Sequence, residues 1–132
     1  MITNFEKIKN YLFELGYEII MQDFEKEMLM IEKPDAGIQN LILDCEDPIL
    51  IVEMHLFDMK KKNIEALSTF LKMNRNIVHG AIALDETGGK VIFRDTLQLE
   101  NLDINELQGT LNSIEIFLSE NAEKLIQLSK KF

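Results

Sequence analysis

Residues Leu67–Leu99 read LSTFLKMNRNIVHGAIALDETGGKVIFRDTLQL. Two periodicities meet in this stretch. Leu67, Phe70, Leu71 and Met73 recur at helical spacing, and Asn74-Arg75-Asn76 ends that pattern. Ile77–Leu84 and Lys90–Leu97 then read as strands rich in β-formers. Glu86-Thr87-Gly88-Gly89 lies between them as a hairpin turn, with both glycines free to take positive φ. The stretch therefore predicts the end of a helix, a short break and a β-hairpin.

The chain before this stretch supplies one helix and a block of strands. Thr3-Asn4-Phe5-Glu6 fits a capping box, and Phe5, Ile8, Leu12 and Leu15 follow at helical spacing, which predicts a helix over residues 3–15. Tyr17–Met21 and Met28–Ile31 read as a hairpin around the charged segment Gln22–Glu27. Pro34-Asp35-Ala36-Gly37 is a turn signal. Leu41–Leu43 and Ile49–Phe57 follow as strands, divided by Glu46-Asp47-Pro48. The last of these is the most apolar segment of the chain. Its first half is apolar on both faces, which predicts helices on one side and a second cover, such as another subunit, on the other. Asn63 can cap the helix that carries Ile64, Leu67, Phe70, Leu71 and Met73.

After the hairpin, Asn105–Lys130 reads as one long amphipathic helix, capped by Asp103 or Asn105. Leu107, Leu111, Ile114, Leu118, Leu125 and Leu128 form its stripe, widened by Ile116, Phe117 and Ile126. The predicted order is α-β-β-β-β-α-β-β-α. Segregated strands joined by hairpin turns imply an α+β domain with an antiparallel sheet covered by helices. Residues 1–132 are expected to form one domain.

Charge narrows the partners. Lys and Arg number 14 against 23 Asp and Glu, a net charge of −9, with a pI near 4.7. This disfavours phosphate-tracking nucleic-acid binding and docking on an anionic membrane, and it suits a soluble protein or one that meets a basic partner. Cys45 is the single cysteine, so no intrachain disulfide is expected. No N-terminal signal pattern or membrane-length apolar run is visible, so a cytoplasmic location is expected.

Catalytic and ligand chemistry is weakly signalled. Gly88-Gly89-Lys90 lacks the phosphate-loop pattern and stands between strands. Glu53 and His55 share a strand face, with Asp44 or Cys45 as possible neighbours, but two ligands do not make a zinc site. No metal or cofactor is expected. His79 has no nucleophile motif beside it and reads as structural. Cys45 stands among Asp44, Glu46 and Asp47, which raise a thiol pKa and keep it unreactive. Asp85 and Arg94 flank the turn and are expected to pair across it, although Arg94 or Arg75, the only arginines, could instead hold an acidic group of a partner. Met21, Met28, Met30, Met54, Met59 and Met73 either fill the core or line an adaptable apolar surface. With no acid–base or nucleophile constellation, no enzymatic activity is expected.

One resemblance bears on function. A helix ending Leu71-Lys72-Met73-Asn74, then Gly80-Ala81-Ile82-Ala83-Leu84-Asp85-Glu86, a glycine turn, Val91-Ile92-Phe93-Arg94 and Leu97-Gln98-Leu99-Glu100-Asn101-Leu102 before a long helix resembles the type III secretion chaperone-like superfamily. That group includes the Tir chaperone (CesT) family and the YbjN-like proteins. The resemblance implies a bacterial, homodimeric α+β domain that binds a partner polypeptide, such as a partly unfolded segment, along apolar strand and helix surfaces. Leu50, Val52, Met54 and Leu56 on the strand and Leu67, Phe70 and Leu71 on the second helix are the expected partner or dimer surface. The alternative is a YbjN-like regulatory or ligand-sensing protein in stress signalling.

Overall fold

Thr3 starts the first helix by accepting the backbone N–H of Glu6 on its hydroxyl at 3.1 Å. In the computed structural model, which describes residues 1–132, this helix is α1 (Asn4–Glu14), and it buries Phe5, Ile8 and Leu12. Four strands follow: β1 (Glu18–Asp23), β2 (Met28–Lys33), β3 (Ile38–Glu46) and β4 (Ile49–Asp58). Each is antiparallel to the next. The Pro34–Gly37 turn is a single 3-10 turn between β2 and β3. Asn63 accepts from Glu65 and Ala66 and starts α2 (Ile64–Asn74). The hairpin β5 (Ala81–Leu84) and β6 (Lys90–Gln98) comes next. Asp103 and Glu106 form a capping box at the start of α3 (Ile104–Lys131).

The order α-β-β-β-β-α-β-β-α and the antiparallel sheet are as the sequence predicts. The six strands lie in the order β1-β2-β3-β4-β6-β5. After β4 the chain crosses through α2 to the far edge, lays down β5, and returns through β6 into the place beside β4. All three helices cover one face. A contiguous core of 29 buried residues joins Ile8 and Leu12 of α1, Phe70 of α2 and Leu111 and Ile114 of α3 to Leu29, Leu43, Val52 and Phe93 of the sheet. Rings mark the contacts, with Phe93 on Phe117 at 5.3 Å and Phe57 on Phe70 at 6.0 Å between centroids.

The hairpin departs from its predicted form in two ways. β5 begins at Ala81 rather than Ile77, because residues 77–80 leave the sheet for α3. There Ser113 Oγ accepts the N–H of His79 at 3.1 Å and donates to its carbonyl at 2.8 Å. The turn lies between Leu84 and Lys90 as predicted, but Asp85 rather than the glycine pair ties it together. Asp85 donates its N–H to the carbonyl of Lys90, and its carboxylate accepts from the Thr87 hydroxyl and the Lys90 N–H. The Thr87 bond, seconded by backbone donors, holds the Asp85 carboxyl below the usual carboxylate range. Only Gly88 takes positive φ. Asp85 is thus committed to its own loop. The expected Asp85–Arg94 pair does not form, since Arg94 lies opposite Glu53 across β4 and β6 and pairs with it at 2.9 Å.

Candidate functional site

The apolar strand β4 turns its largest side chains inward. Leu50 and Val52 have no exposed surface, and Met54 and Phe57 are buried with them under the helices. Phe70 is buried against Phe57. An accessible surface at Leu50, Val52, Met54 and Phe70 is therefore corrected: these side chains build the chain's own core. Period-two alternation puts Ile49, Ile51, Glu53 and His55 on the other face. Leu56 is half-buried, beside an irregularity in the β4–β6 ladder.

Leu67 and Leu71 have a different fate. α2 carries two apolar stripes. Ala66, Phe70 and Met73 are buried. Ile64, Leu67 and Leu71, at i, i+3 and i+7, make a second stripe. Nothing in the chain covers it fully: Ile64 is 86% exposed and Leu71 70%. Leu67, Phe70 and Leu71 meet Ile82, Ala83 and Leu84 of the edge strand β5 in a groove of about 300 Å³. Asn74 closes its end. Its Oδ1 accepts from the N–H of Ile82 at 2.7 Å and its Nδ2 donates to the Ile82 carbonyl at 3.2 Å. The amide thus stands in for a neighbouring strand and blunts that edge at Ile82.

A second apolar surface lies on the face of the sheet without helices. The registers align Met21, Met30, Ile42, Glu53, Arg94 and Ala81 as one row across all six strands. The next row runs Asp23, Met28, Asp44, Ile51 and Thr96. The β1–β4 half of this face is therefore lined by Met21, Met28, Met30, Ile42 and Ile51. Of the methionines weighed from sequence, Met54, Met59 and Met73 fill the core, and Met21, Met28 and Met30 line this face.

This face is acidic at its centre. Asp44 lies beside Met28 and Ile51, and its Oδ1 is buried with no hydrogen-bond partner. Burial first, then the charges of Glu46 and Glu53, push its carboxyl above the usual carboxylate range. The folded chain thus favours the protonated form, and stability from this group is lost as pH rises through the raised pKa. Asp44→Asn is expected to raise stability at neutral pH by no more than about 1 kcal/mol, because it removes a charge that Glu46 and Glu53 oppose at a site where solvent screens much of the effect. The gain disappears below the ordinary aspartate range, where both side chains are neutral. Thermal melts across pH check both parts.

The remaining candidates do not converge on one site. Glu53 is held by Arg94, and His55 Nε2 lies 2.8 Å from Asp58 Oδ1. No three His, Cys, Asp or Glu side chains converge. The Cys45 thiol is buried, and burial, then Glu27, Asp44 and Glu46, push its pKa up to about 12. Arg94 is engaged by Glu53, and Arg75 is exposed at the end of α2. No helix is long and apolar enough to cross a membrane.

Sequence reasoning singled out Leu67 and Leu71 but missed their companions on β5. It also missed Ile42 and Ile51, which belong to the open face. The available signals were the second stripe on α2 and the apolar residues of β3 and β4 that alternate with the core positions.

Among curated proteins, none matches this chain by sequence. Solved structures share its fold. YbjN from E. coli superposes with a TM-score of 0.67 at 11% identity, covering 94% of this chain and 96% of that one. A chain in the complex of the Yersinia pestis type III secretion chaperone SycH with a stable fragment of YscM2 gives 0.60 at 18% identity, covering 96% and 100%. A chain of the heterodimeric ExoU-SpcU complex from the type III secretion system of Pseudomonas aeruginosa gives 0.59 at 12%, covering 95% and 99%. The profile of the CesT_Tir_1 family matches residues 1–131, so the resemblance read from Leu71–Leu102 and the long helix after it extends over the N-terminal helix and strands, and the chain belongs to the CesT_Tir_1 family.

Proposed function

We propose that this chain is a non-enzymatic, chaperone-like protein-binding domain that works as a cytoplasmic homodimer. In this reading the groove between α2 and β5 joins the two copies, and the methionine-lined open face receives a partner polypeptide. The observation that carries it is the second apolar stripe of α2. A helix with apolar residues on two flanks belongs between two partners, and only the Ala66–Phe70–Met73 flank is buried within the chain. Leu71 and Leu84, exposed at 70% and 36%, rim the groove. A monomer leaves such adjoining apolar side chains in water at a cost that association removes.

The partner's chemistry follows from the open face. Met21, Met28 and Met30 offer flexible, polarizable contacts that fit varied apolar side chains. Asp23, Asp44 and Glu53 share the same two rows and are balanced there by Arg94 alone. With a net charge of −9, this favours a segment that mixes apolar and basic residues. The structures of SycH with YscM2 and of ExoU with SpcU are complexes between proteins, and they support a polypeptide as the bound species.

Leu71→Asp tests the groove. It places a charge in the proposed interface at a position exposed in the single copy. Self-association is expected to weaken roughly 100-fold, the equivalent of about 3 kcal/mol. The melting temperature of the separated chain should stay within the scatter of surface substitutions, about 0.5 kcal/mol. Analytical ultracentrifugation against concentration reads the first, and circular dichroism of the diluted protein reads the second.

A further inference from the structure

A cleft of about 290 Å³ opens between α3 and the connector that joins α2 to β5. It lies apart from the α2–β5 groove and the open face of the sheet. Its floor is apolar, made by Met73, Ile77 and Phe117. Its rim carries the side chains of Asn76, His79, Asn112 and Glu120. The volume is at the small end of ligand sites, and an apolar floor under a few convergent polar groups is their usual construction.

The wall of this cleft is built, not incidental. Ser113 is buried inside α3 and holds both the N–H and the carbonyl of His79. Gly109, one turn earlier in the same helix, faces the imidazole, and an added Cβ there would stand 3.5 Å from His79 Nε2, an ordinary van der Waals contact. The connector is thus fixed at His79 while the neighbouring Val78 is exposed.

The charge of the lining selects the ligand. No Lys or Arg lines the cleft, and Glu120 is its one carboxylate. Asn121 donates its Nδ2 hydrogen to the Phe117 carbonyl at 3.0 Å, which leaves its oxygen to accept. An anion would meet the Glu120 carboxylate with no Lys or Arg to balance it. A cation would find acceptors on two sides of an apolar floor. We propose that this cleft binds a small organic cation, an amine carried on a flat apolar body.

Tryptamine and indole-3-acetate test this, since they share one ring system and carry opposite charge. Calorimetric titration of the full chain at pH 8 is expected to show tryptamine binding at least about tenfold more tightly than the acid. Glu120→Gln should remove most of that difference. Asn112→Trp, a change at an exposed helical position, should fill the cleft and abolish tryptamine binding with the far-ultraviolet spectrum unchanged. Should that variant not fold, Ile116→Trp at the neighbouring exposed position serves the same purpose. The proposal is overturned if neither probe binds at millimolar concentration, if the acid binds as well as the amine, or if tryptamine binds the filled variant unchanged.

Discussion

Leu50→Asp is expected to abolish folding. Leu50 has no exposed surface and stands between Cys45 of β3 and Leu97 of β6, on the side of the sheet that the helices cover. A carboxylate there has neither water nor a cation, so it must ionise at high cost or fold only as the neutral acid. Truncation to alanine at such a site costs about 2–5 kcal/mol, and a buried charge costs more. A domain of this size has roughly 5–15 kcal/mol to lose. Circular dichroism should show no cooperative melt for Leu50→Asp and a lowered but cooperative one for Leu50→Ala. A well-folded Leu50→Asp that had lost only its partner would show β4 to be an exposed surface and the core assignment to be wrong.

Gly80→Ala is expected to cost about 2–4 kcal/mol and to lower the melting temperature by roughly 10 °C. Two effects add. Gly80 has φ +87, where an L residue is strained. An added Cβ would also stand 2.5 Å from the Phe93 ring and 3.0 Å from the Arg94 carbonyl oxygen. Phe93 is fully buried against Phe117 and cannot move aside without opening the core. Gly80 is therefore the pivot where the chain leaves α3 and enters β5. Thermal denaturation followed by near-ultraviolet circular dichroism would register both the loss of stability and any shift of the aromatic core. An unchanged melt would mean that this turn has room to relax.

The fold was legible where the signals are local. Thr3, Asn63 and Asp103 cap helices because each side chain reaches its own first turn, and sequence spacing suffices to see it. The order of elements along the chain followed from turn residues and alternation. What stayed hidden was decided at long range. The late start of β5, at Ala81 rather than Ile77, depends on Ser113, 34 residues from His79. The partner of Arg94 depends on its register opposite Glu53, 41 residues away.

The site was half legible for a similar reason. Ile49, Leu50, Ile51 and Val52 are apolar on both sides of β4, so alternation alone cannot tell the face that helices cover from the face left open. The accessible candidates consequently moved to α2, β5 and the opposite face of the sheet. On α2 the second stripe could be read from the sequence, because Ile64, Leu67 and Leu71 recur at helical spacing beside the buried Ala66, Phe70 and Met73.

The proposed homodimer through the α2–β5 groove is tested most directly by the mass in solution. Light scattering on the wild-type chain and on Leu71→Asp at micromolar concentration should give twice 15.3 kDa for the first and 15.3 kDa for the second. Both should show the same far-ultraviolet spectrum. A wild-type chain that scatters as a monomer, or a Leu71→Asp variant that remains a dimer, would contradict the assignment of this groove.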